Sequence, residues 1–207
     1  MTSMRSALPW LLAAAVLAAA GCGGSKSNSA SSTTQSSSPF RGSEVVGGPA
    51  APGFALRDQA GRLVRMPDRR GRIALVTFLY VNCPDVCPLI AEQLNTALRQ
   101  LGPTGSDVRV LAVSVDPKGD TAAAVNRFVA LHRLLPQFRY LRGTAAQLRP
   151  VWTSYHVASD PQKGSTAVGH SAFVILVDRK GVERAIHDAR LKAADVAHDV
   201  DVLLKEQ

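Results

Sequence analysis

The chain has 207 residues, 46% of them hydrophobic but only 5% aromatic, and a formal net charge of +8 at pH 7. With a polar N-terminal stretch set aside, that length holds one domain of about 150–160 residues, enough for a full core, so cysteines are not needed as staples. The basic residues are scattered and nowhere interleaved with aromatic ones, and no nucleic-acid module is recognisable; this excludes nucleic acid and leaves an acidic membrane surface or acidic partner to account for the charge.

Residues 1–21 carry one positive charge, Arg5, then an apolar run over 8–20, then Gly21 ahead of Cys22. The run is too short for a permanent span and has the form of a processed leader. Ala19-Ala20-Gly21-Cys22 resembles the lipobox of bacterial lipoproteins, with Ala19 where leucine is usual. The resemblance implies a lipoprotein-type signal peptide over 1–21 and lipidation of Cys22; a plain secretory leader is the alternative. Residues 23–38 are almost entirely Gly, Ser, Thr, Asn and Gln with no apolar pattern to bury, and a flexible tether is expected over 22–48. Some 25 residues of such coil reach ~30 Å. The expected location is extracytoplasmic, anchored through Cys22 to the outer face of the cytoplasmic membrane, where thiols meet oxidants.

The folded domain is expected over 49–207. Residues 54–56 and 63–64, separated by Asp58-Gln59-Ala60-Gly61, predict an N-terminal β-hairpin. An unbroken apolar, β-rich run over 73–80 predicts a strand covered on both faces. Helical spacing follows over 89–101 and stops at Gly102-Pro103. Further along, the pattern predicts strands at 108–115, 138–141, 172–177 and 182–186. Helices are predicted at 121–131, from the Thr144 cap to about 155, and at 192–204. Strands alternating with helices describe an α/β domain around a central mixed β-sheet flanked by helices. Right-handed crossovers make 73–80 and 108–115 parallel neighbours. With 172–177 antiparallel on the other side of 73–80, the cysteines after the first strand, Asp116 after the second and His170 before the last meet at one sheet edge.

Cys83 and Cys87 stand four residues apart, on one face of a helical turn or pinched in a tight loop, and can form a disulfide or clamp one metal ion. Pro84 and Pro88 suit a first helical turn, where a missing N–H costs nothing. A thiol at a helix N-terminus is expected to have a lowered pKa, giving the thiolate that binds metal and attacks disulfides. Asp120 ahead of Thr121 reads as a helix cap, Trp152 and Tyr155 as core, and His132, His156, His187 and His198 as surface residues. Met66 is the one methionine beyond the leader, which excludes a methionine-rich relay surface.

Cys83-Pro84-Asp85-Val86-Cys87-Pro88 after an apolar strand, Ser114-Val115-Asp116-Pro117 with Asp120-Thr121 after the next, and Gly169-His170-Ser171 before a strand ending Asp178-Arg179-Lys180-Gly181 resemble the SCO/SenC family. The resemblance covers roughly 50–205 and implies a thioredoxin-like fold and a copper protein of cytochrome c oxidase assembly. Gly169 departs from the Asp that many members carry there. Carried onto this sequence, the resemblance implies metal ligands Cys83, Cys87 and His170, with Asp116, then Asp85, as fourth ligand or orienting carboxylate. Soft thiolates with one imidazole suit Cu(I), and Cu(II) with a fourth donor; zinc is the competitor for such a set. The implied function is a metallochaperone that delivers copper to the CuA centre of an oxidase subunit, with another copper chaperone as possible donor. The alternative is a thiol–disulfide oxidoreductase that reduces the CuA cysteine pair, with Cys83 and Cys87 as the redox pair. A thiol peroxidase is disfavoured because Tyr80 stands where that class places Thr or Ser.

Overall fold

The structure, a computed structural model, describes residues 38–66, 71–157 and 172–206. In chain order, a short strand β1 (Ser43–Glu44) precedes the hairpin β2 (Phe54–Arg57) and β3 (Leu63–Met66), then β4 (Ile73–Leu79) and helix α1 (Val86–Leu101). After a 3-10 turn, Gly102–Asp107, come β5 (Val108–Ser114), α2 (Ala122–Leu131), β6 (Phe138–Leu141) and α3 (Ala145–Ser154). The chain continues through β7 (Phe173–Val177), β8 (Glu183–Asp188) and α4 (Ala193–Lys205). The sheet order is β1-β8-β7-β4-β5-β6, with the hairpin a separate two-stranded sheet. β4 pairs parallel with β5 and antiparallel with β7, as the sequence pattern predicts.

Every residue of β4 is buried, because the sheet is covered on both faces. Leu75 and Leu79 pack with Ile90, Leu94 and Leu98 of α1 and Val196, Val200 and Leu203 of α4. The alternate residues Val76 and Phe78 pack with Phe54 and Leu56 of the hairpin and Leu148, Trp152 and Tyr155 around α3. Thr144 caps α3 with a reciprocal capping box through Gln147. Among the described residues no helix is long and apolar enough to cross a membrane.

The outer edge of β6 is closed without another strand. The Gln59 side-chain amide donates to Phe138 O (3.1 Å) and accepts from Tyr140 N (2.9 Å), so it stands in for a neighbouring backbone. One step on, Arg57 and Arg142 exchange backbone hydrogen bonds.

Two expectations are corrected here. Phe40 is only 6% exposed, and β1 pairs with β8, although both lie within 22–48, the stretch expected to be a tether. The hold on this segment is long-range: Arg41 N and Gly42 N donate to Asp199 at 2.7 and 2.9 Å. A Cβ on Gly42 would come within 2.9 Å of the His187 ring, so glycine permits the approach. None of this leaves a local apolar period. His187, expected at the surface, is 6% exposed with Nε2 3.0 Å from Asp199 Oδ2.

Candidate metal centre

The parallel β4–β5 ladder ends where Val115 N donates to Leu79 O at 3.0 Å. The chain then turns, Cys83 N donating to Tyr80 O at 3.3 Å. Pro84 and Asp85 are exposed, and α1 begins at Val86, earlier than the spacing over 89–101 predicts. Pro88 hides the first turn from a pattern reading, yet fits it because its missing N–H would have had no helical partner. Asp85 is the N-cap residue but its side chain makes no capping bond. A sulfur does so instead: Cys87 N donates to Cys83 Sγ at 3.3 Å.

Both thiols are reduced and buried, Cys83 at 9% and Cys87 at 4% exposure. Burial pushes the Cys87 thiol well above the ordinary range, and the hydrogen bond with Cys83 adds to the rise, while a backbone hydrogen bond from Tyr80 opposes it. For Cys87, then, the expected helix-dipole lowering is overturned, because a thiolate loses more hydration here than the helix start returns. The Tyr80 phenol is pushed up to about 12 by burial, then by Cys83, Cys87 and Asp116.

Asp116 follows β5 at the same sheet edge. Its Oδ1 accepts from Lys118 N (3.1 Å) and Gly119 N (2.9 Å), making a tight turn. A Cβ on Gly119 would lie 2.1 Å from Asp116 Oδ2 and 2.9 Å from Asn82 Nδ2, so the turn abuts the residue before Cys83 and needs glycine there. Asp120 is not a helix cap: Thr121 takes that role, accepting from Ala124 N, and Asp120 is 2% exposed. Its carboxylate accepts from Val81 N (2.9 Å), Ser114 Oγ (2.6 Å) and Tyr140 Oη (3.0 Å). Burial raises its pKa, those three bonds opposing. Sequence reasoning missed this role because an acid just before Thr and a helix is also an ordinary capping signature.

His170 lies outside the described residues, as does Cys22. Ala172, two residues beyond His170, lines the same small pocket as Cys87, with Tyr80, Val86, Val115 and Val157. Among the described residues no three His, Cys, Asp or Glu side chains gather to hold a metal. The described part of the centre therefore offers two sulfurs, with Asp116 nearby and half of its carboxylate already engaged.

Residues 45–205 match the SCO1/SenC family. Among curated relatives, Protein SenC of Rhodobacter capsulatus is 32% identical over 141 residues, covering 67% of this chain and 61% of that protein. The mitochondrial Protein SCO2 homolog of Bos taurus is 35% identical over 135 residues, covering 62% of this chain and 50% of the relative. A SCO2-like protein of Rickettsia prowazekii is 28% identical, covering 66% of each chain, so the chain spans about half to two thirds of these relatives. Among solved structures, ScoI of Bradyrhizobium japonicum with copper bound is 30% identical, with TM-score 0.66 over 75% of this chain and 99% of that one. Yeast Sco1 with copper bound, at 22% identity and TM-score 0.64 over 77% of this chain and 95% of that one, shares the fold. With a mixed sheet between helices and two thiols where the central strand meets α1, the chain belongs to the SCO1/SenC family and has its thioredoxin-like fold.

Proposed function

We propose that this chain is a copper-binding metallochaperone that carries the ion on Cys83, Cys87 and His170 and hands it to the CuA centre of a cytochrome c oxidase subunit. The observation that carries the reading is the pair of reduced sulfurs in hydrogen-bond contact through the Cys87 amide, at the exit of the central strand. Such a pair is a soft donor set suited to Cu(I), and a single imidazole completes the three-coordinate site that ion accepts. It is supported by the copper-bound ScoI of Bradyrhizobium japonicum, 30% identical to this chain. Asp116 acts from beside the centre, steadying it through the turn at Gly119, and Asp85 is the more exposed alternative. The 22–48 stretch, up to where Phe40 docks, links the domain to a lipid anchor at Cys22 on the outer membrane face.

The reduced protein is titrated with Cu(I) and with Cu(II), beside Cys83→Ser, Cys87→Ser and His170→Ala. One tight equivalent, a thiolate-to-Cu(II) charge-transfer band and loss of both in all three variants are expected. A second reading, reduction of the CuA cysteine pair, is favoured by the same contact, since two sulfurs held together through the Cys87 amide can close to a disulfide. If His170→Ala keeps the band and the affinity but loses disulfide reduction, this second reading replaces the first.

A further inference from the structure

We propose that Asp120 is a positioning residue for the two thiols: its carboxylate takes over the ladder where β5 leaves β4, and so fixes the turn that carries Cys83. This deepens the reading above, in that it takes Cys83 and Cys87 as the working groups. The register pairs Leu79 with Ser114, and Val115 N closes the last rung on Leu79 O. The next donor on this side of the chain is Val81 N, which lies beyond the last pair of the ladder. Val81 N is left to find another acceptor and finds Asp120 Oδ1 at 2.9 Å.

Asp120 can serve because its other bonds come from neighbouring strands. Ser114, the last residue of β5, and Tyr140 of β6 both donate to Oδ2, and Arg142 Nε donates to the Asp120 carbonyl at 2.6 Å. Asp120 N donates to Asp116 O at 2.9 Å, which also ties in the Asp116 turn. One buried carboxylate thus joins the C-terminal ends of three parallel strands. From Val81 the geometry runs forward through the Tyr80–Cys83 turn to Cys83 Sγ, and from there to the Cys87 amide. A metal ion and a disulfide both require the two sulfurs together. A turn released at Val81 lowers the effective concentration of one thiol at the other, and both are weakened.

The test uses the full chain with two readouts, Cu(I) affinity by competition and the metal-free dithiol–disulfide equilibrium against glutathione. Asp120→Ala is expected to weaken Cu(I) binding about tenfold or more and to disfavour the disulfide about tenfold, a rise of about 30 mV in midpoint potential. Asp120→Asn, which keeps an acceptor for Val81 N, is expected to restore both to within about threefold of wild type. Tyr140→Phe removes a different donor from the same carboxylate and is expected to lower stability without moving either readout. A dithiol–disulfide equilibrium unchanged in Asp120→Ala, or shifted equally by Tyr140→Phe, overturns the proposal. Should Asp120→Ala not fold, amide exchange in the wild type decides: Val81 N–H is expected to be as protected as the β4 amides, and exchange at the rate of an exposed loop overturns the proposal. If the wild type takes no copper, the metallochaperone reading fails while the glutathione equilibrium still tests Asp120.

Discussion

At Asp199, burial alone would raise the carboxyl pKa. The His187 ring 3.0 Å away, the amides of Arg41 and Gly42, and His198 reverse that and bring it down to about 2. A folded-state pKa below the unfolded value of about 4 stabilises the native state at any pH above that value. The contribution is lost as pH falls from about 4 to about 2, since protonation then competes with folding. Urea denaturation at a series of pH values should show this loss in the wild type, while Asp199→Asn should be less stable at neutral pH and flatter across that window. The segment lost first should be the one Asp199 holds, so Phe40 should become accessible to solvent before the sheet melts.

Between elements, Asn95 has the same kind of role with no charge. Buried in α1, it donates to the carbonyls of His132 and Arg133 and accepts from Leu135 N at 2.8 Å, which fixes the chain between α2 and β6. Arg133 there has φ +47°, a left-handed residue closing α2. Asn95→Ala leaves buried backbone groups unpaired and should cost about 2–3 kcal/mol in chemical denaturation. The sequence made the strands easy to read where burial on both faces turns them into unbroken apolar runs, as at 73–80 and 108–115. It was poor at α1's first turn, where Pro88 breaks the helical period, and at 40–44, where the fold holds the chain through Asp199 far downstream. At the centre, the spacing of Cys83 and Cys87 declared itself. The burial that raises the Cys87 thiol did not, because it depends on what α1 and the β7 end of the pocket bring to it.

For the molecule as a whole, the two ends of the six-stranded sheet differ. One ends in β1, only two residues long; the other is β6, sealed by Gln59 and Arg57. Exposed strand edges template association, and short or covered ones resist it. Gln59→Ala leaves Phe138 O and Tyr140 N without their partner, and sedimentation velocity should then show concentration-dependent self-association absent from the wild type. The same seal restricts how this domain can meet another protein. Recognition by adding an extended peptide alongside β6 is barred unless Gln59 swings away. A chain that meets this end of the sheet is read through side chains and loop tips, and its own backbone keeps the shape it arrived with.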